Sequence, residues 1–110
     1  MKQHEIDQLK AMYLHYNYKC FSCGNPAENR AHIIGQGLTN RAVYNNNIID
    51  NPLNWLPSCQ KCNDLIDVGG HYTAERIALI IESSMDIADK RSEIGIIVRE
   101  NIARKQGKIQ

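Results

Sequence analysis

Two Cys-x-x-Cys motifs, Cys20–Cys23 and Cys59–Cys62, begin 39 positions apart and leave the chain few ways to fold that do not bring them together. Two residues between thiolates let both sulfurs reach one ion from a tight turn. Two such knuckles complete a tetrahedron of soft ligands at about 2.3 Å. Gly24, Asn25 and Pro26 supply the turn chemistry beside the first pair. Four sulfurs leave no open coordination position, so an ion held this way is structural and ties the start of the domain to its middle. The expected ion is zinc, and a rubredoxin-like iron centre uses the same ligands. A thioredoxin-like redox pair needs one motif between a strand and a helix, not two matched ones.

Composition agrees with a stapled core. The 110 residues make one domain, 1–110, with five Tyr, one Phe and one Trp. A small core short of large rings commonly leans on a metal. No run approaches the roughly 18 apolar residues of a membrane span, and the opening MKQHEIDQLK lacks the apolar centre of a signal peptide. The expectation is a cytoplasmic protein without a membrane partner, in a compartment where thiols stay reduced and bind metal rather than form disulfides. The net charge of +1 does not announce a nucleic-acid partner. Arg99, Arg104, Lys105 and Lys108 oppose Glu100 in a basic tail, which reads as solvated surface, with phosphate contact as the alternative.

Apolar spacing gives an α+β, mostly helical chain. Ile6, Leu9, Met12, Tyr13 and Tyr16 share one face of a helix over 4–17. A brief strand lies within Glu28–Ile34. Residues 35–50 are rich in Gly and Asn and read as loop, with a second strand near Val43 or Ile48–Ile49. Residues 51–58, with two prolines, read as an irregular approach to the second cysteine pair. A short helix follows over 59–68 and stops at Gly69-Gly70. Thr73 caps the next helix, with Ile77, Ile80, Ile81 and Met85 on one face. A last helix over 86–105 aligns Ile87, Ile94, Val98 and Ile102. These two C-terminal helices, about 73–105, are expected to pack on the first.

Between the cysteine pairs stand His32, in Arg30-Ala31-His32-Ile33-Ile34, and Asn54, at the end of Ile49-Asp50-Asn51-Pro52-Leu53-Asn54; Asn63 directly follows Cys62. In this arrangement the chain resembles the HNH, or ββα-metal, endonucleases of the zinc-bound four-cysteine type. Their pattern is a first cysteine pair, a His at the end of a strand, an Asn shortly before the second pair, and a His or Asn just after it. The likeness covers about residues 20–68, roughly half the chain.

That resemblance implies a metal-dependent DNA endonuclease with a ββα core stapled by zinc. His32 would be the general base, Asn54 would orient the loop or the imidazole, and Asn63 would offer its side-chain oxygen to a catalytic Mg²⁺ or Mn²⁺. Arg30 and Arg41 are candidate DNA contacts, although an exposed loop arginine describes each as well. Asn40, Asn45, Asn46, Asn47 and Asn51 are ordinary turn formers. The pattern departs at Ala31, where many members carry the Asp or Glu that binds the catalytic metal. Asp50 and Asp67 are the leading replacements, ahead of Asp64. Ile66 stands near a common lysine position, and His71 is close enough in sequence to be a further ligand.

One such site cuts one strand per engagement, so a monomer would nick and a double-strand break would need a homodimer or two events. Two other readings share the cysteines. A non-catalytic zinc-knuckle module would bind nucleic acid without cleaving it, and an iron–sulfur electron-transfer domain would be coloured.

Overall fold

A computed structural model describes residues 2–66, 68 and 70–107. Helix α1, Gln3–His15, buries Met12 and half-buries Ile6, Leu9, Tyr13 and Tyr16, the expected face. It stops where Asn17 and Tyr18 take positive φ angles of 55° and 59°, a conformation that costs a tyrosine energy and cannot continue a right-handed helix. The Tyr18 N–H closes the turn on the Tyr13 carbonyl at 2.8 Å, and the two rings stack.

The first strand, β1, is Asn29–His32, and it pairs antiparallel with β2, Trp55–Ser58. The register sets Asn29 opposite Ser58 and His32 opposite Trp55. The second strand therefore lies in the stretch expected to be irregular, and not at Val43 or Ile48–Ile49. Pro57 hides it from sequence patterning. In a two-stranded sheet both strands are edges, and an edge tolerates a residue that cannot donate. Pro52 opens a single 3-10 turn, Pro52–Asn54, that Asn51 caps through its side chain.

Residues 38–49 are likewise not loop. They form helix α2, Leu38–Ile49, broken at Asn45 by φ 57° and ψ 170°. Tyr44, Ile48 and Ile49 are its buried side chains, and the helix packs on α4, His71–Glu82. Asparagine is a weak helix former, so tertiary burial of three side chains overrides local preference here.

Helix α3, Gln60–Leu65, is shorter than expected, ending in extended backbone at Ile66. Gly70, not Thr73, occupies the N-cap of α4. Helix α5, Ile87–Lys105, is capped by Asp86, whose side chain accepts the Ala88 N–H at 2.8 Å. Ile77, Ile80 and Ile81 of α4 and Ile94, Val98 and Ile102 of α5 join one core. Met85 lies beyond the end of α4, and Ile87, in the first turn of α5, is 63% exposed, so neither belongs to its expected face. Helix α1 packs chiefly on β2 and the 3-10 turn, while α5 packs on α4 and α3. The described residues thus form a mostly helical α+β domain of five helices around one hairpin. No helix among them is long and apolar enough to cross a membrane.

Candidate metal centre and the surface around His32

The two knuckles meet. The sulfurs of Cys20, Cys23, Cys59 and Cys62 all lie within 4.8 Å of one another, with Cys23 and Cys59 3.5 Å apart. A tetrahedron of 2.3 Å bonds has edges of about 3.8 Å, so the thiols already stand close to the corners a zinc ion needs. All four are free cysteines.

Local backbone builds each knuckle. In the first, the Cys20 N–H donates to the Asn25 carbonyl at 2.6 Å and the Gly24 N–H to the Cys20 carbonyl at 3.2 Å. Gly24 has φ +77°, a value glycine takes without penalty. In the second, Cys59 is the N-cap of α3, and its sulfur accepts the Cys62 N–H at 3.4 Å. The Phe21 N–H reaches the Pro57 carbonyl at 2.9 Å, which fastens the first knuckle to β2. Arg99 of α5 donates to the Phe21 carbonyl at 3.1 Å and lies over its ring. A zinc ion with four thiolates carries a net charge of about −2, and Arg99 sets a cation beside the knuckle that holds half of them.

Burial works against a thiolate at Cys20, but hydrogen bonds from the backbone N–H groups of Cys23, Cys59 and Ser22 outweigh it and bring its pKa down to about 7. Burial, followed by the neighbouring thiols, pushes Cys62 well up. At Cys23 the Asn25 backbone lowers the pKa, but burial and the thiols of Cys59 and Cys20 raise it overall. Crowded sulfurs that resist ionising together are the situation a divalent cation relieves. The four cysteines suit zinc in number, spacing and donor type.

His32 ends β1. Alternation along the strand puts Arg30 and His32 on one face, while Ala31 is buried on the other. The Arg30 guanidinium sits 4.6 Å from the centre of the Trp55 ring, and the His32 ring meets the same indole edge-on at 6.4 Å. His32 Nδ1 is 3.3 Å from the Gln36 side-chain nitrogen. Burial first, then the Arg30 cation, lowers the His32 pKa; Asp50 opposes and Arg41 adds to the depression. A carboxylate in place of Ala31 would point into the core, away from the His32 face.

Asn54 is fully buried. Its Oδ1 accepts the Ile34 N–H at 2.8 Å, and its Nδ2 donates to the Ile34 and Ile49 carbonyls at 3.0 Å each. Its bonds go to the backbone leaving β1 and the end of α2, not to the imidazole. Asn63 is half-buried on α3, which packs against both strands. Asp50 and Arg41 hold one another in a two-pronged pair, at 2.9 and 3.2 Å. Arg41 also binds Asn46 at 2.6 Å and the Gln36 carbonyl at 3.1 Å. Asp67 lies outside the described residues.

Several contacts carried no sequence signal. Gln36 is one exposed polar residue in a Gly-rich stretch. Trp55 announces only a ring. His71 is engaged, with Nδ1 3.1 Å from the Tyr44 hydroxyl and Nε2 2.7 Å from Glu75. The basic tail is partly tied down: besides Arg99, Arg104 donates to Asn101 and Lys105 to the Leu65 carbonyl. Comparison with protein-family models, with curated proteins and with solved structures finds no match to this chain.

Proposed function

We propose that this chain is a divalent-metal-dependent DNA endonuclease of the HNH type, with zinc on the four cysteines as a structural ion and His32 as general base. One observation carries the reading. His32 closes the first strand of an antiparallel hairpin whose second strand runs straight into α3 at a four-cysteine centre. That is the strand–strand–helix order around a knuckle that the ββα-metal resemblance implies.

The chemistry asks little of the protein. A half-buried imidazole whose pKa is depressed is neutral near pH 7 and can accept a proton from water. The resulting hydroxide attacks phosphorus, the bond to the 3′ oxygen breaks, and the products are a 5′-phosphate and a 3′-hydroxyl. Bound Mg²⁺ or Mn²⁺ would neutralise charge on a non-bridging oxygen and on the leaving oxygen. Among the described residues, no three His, Cys, Asp or Glu converge apart from the four cysteines. Mg²⁺ commonly keeps several waters and uses few protein ligands besides phosphate, so few donors are needed; Asn63 and Asp50, the latter only once Arg41 releases it, are the ones the resemblance proposes. Arg30, on the His32 face and over the Trp55 ring, is the proposed phosphate contact.

The test is nicking of supercoiled plasmid by the zinc-loaded protein over a Mg²⁺ or Mn²⁺ titration, beside His32→Ala. Metal-dependent nicking lost in the variant supports the proposal, and equal cutting by both proteins removes it. The Arg41–Asp50 pair, which occupies both oxygens of the carboxylate, favours a second reading: a zinc-knuckle module that binds DNA and does not cut it. DNA retention without cleavage in any divalent ion would establish that alternative.

A further inference from the structure

The segment between β1 and α2 is fastened on every side. Asn54 holds the Ile34 backbone from within the core. The Asn40 side chain donates to the Gly35 carbonyl at 3.1 Å. Arg41 Nε donates to the Gln36 carbonyl at 3.1 Å while its two terminal nitrogens grip Asp50 and Asn46. Gln36 thus has a fixed backbone and an exposed side chain, and that side chain ends at His32 Nδ1.

We infer that Gln36 is a positioning residue for His32: its amide nitrogen donates to Nδ1, fixes the neutral ring with its proton on Nε2, and stands where the water that His32 deprotonates would stand. The inference rests on the nuclease reading for its last clause only. An amide N–H can pair with an imidazole nitrogen only while that nitrogen keeps its lone pair. Gln36 therefore marks Nδ1 as the basic atom, holds it in the resting protein, and must swing aside or turn its amide oxygen to the ring as the proton arrives. The fixed loop returns it afterwards. The charged groups facing the ring are Arg30 from its own strand and Arg41 and Asp50 from α2 and its end. None of them forms a hydrogen bond to the ring among the described residues, so Gln36 is the group that can choose between its nitrogens.

The test is nitrogen NMR of the histidine rings in zinc-loaded protein, with His32 assigned by its loss in His32→Ala. The parent is expected to show Nδ1 as the unprotonated nitrogen. In Gln36→Ala the two ring-nitrogen shifts should move toward each other as both tautomers populate. The His32 titration midpoint should rise, because a donor favouring the neutral ring is gone. Gln36→Glu should raise it further, since a carboxylate favours the imidazolium. A parent carrying its proton on Nδ1, or ring shifts unmoved in Gln36→Ala, overturns the inference. Plasmid nicking is read in parallel. If the ring shifts respond but the parent does not nick, the nuclease reading falls and the tautomer assignment stands.

Discussion

The side chain of Asn54 pairs with both backbone groups of Ile34, accepting its N–H at 2.8 Å and donating to its carbonyl at 3.0 Å. One amide so carries the β1–β2 pairing two residues beyond His32, from the residue that leads into β2. The same nitrogen also reaches the Ile49 carbonyl, so three backbone groups depend on this side chain. Asn54→Ala strands all three and is expected to cost about 3 kcal/mol. Asn54→Asp should cost more, because it puts an acceptor, and in its ionised form a charge, against two carbonyls. Urea denaturation of the zinc-loaded proteins measures both, and a loss under about 1 kcal/mol for the alanine variant would show that the clamp contributes little.

Metal removal should unfold the domain. Zinc held by four thiolates contributes about 10–16 kcal/mol, against total stabilities of about 5–15 kcal/mol for domains in general. Elemental analysis should find one zinc per chain, and cobalt substitution should give the absorption of a tetrathiolate site. Chelation, or Cys62→Ser, should abolish the cooperative melting transition. A melt unchanged by chelator would remove the metal from the account of the fold.

Cleavage should depend on a neutral His32. The variant His32→Ala should lose about 10²- to 10⁴-fold in nicking rate. Burial and Arg30 hold the His32 pKa below its ordinary value of 6.5, so the acid limb of the rate profile should have its midpoint below that value. Arg30→Gln removes a cation and should move the limb to higher pH. The same depression links stability to pH: the native state binds fewer protons than the unfolded chain, so His32's contribution is complete above pH 6.5 and is lost as pH falls through the lower folded value. A limb unmoved by Arg30→Gln would show that the guanidinium does not act on the ring.

The chain has a single tryptophan, Trp55, and it lies against His32. An imidazolium quenches indole emission at contact more strongly than a neutral imidazole does. Intrinsic fluorescence should therefore dim on acidification with the midpoint of His32, and the step should vanish in His32→Ala. Persistence of the step in that variant would assign it to another group.

The four-cysteine cluster could be read from sequence because its chemistry is written at a spacing of three residues and needs no partner to specify it. The strand bearing His32 was likewise local. The second strand and α2 were not. Pro57 removes a donor that an edge strand can do without, and Tyr44, Ile48 and Ile49 make a helix out of Asn-rich sequence only because α4 lies alongside them. Asn54 was singled out by position, yet its bonds to Ile34 and Ile49 join residues 20 and 5 positions away. Arg41 and Asp50 read as separate candidates because nothing in the chain announces that they face one another across nine residues.

With an ion on its four sulfurs, the stretch between the knuckles is a ring sealed at its base, since Cys23 and Cys59 meet across 36 positions of chain. The route from one knuckle to the other is then a tethered excursion whose ends cannot separate. Lengthening such an excursion costs only slowly more entropy, and the break at Asn45 is its natural place to grow. Residues spliced in there would leave the hairpin shut, so the surface around the break can diversify without reopening the scaffold that presents His32.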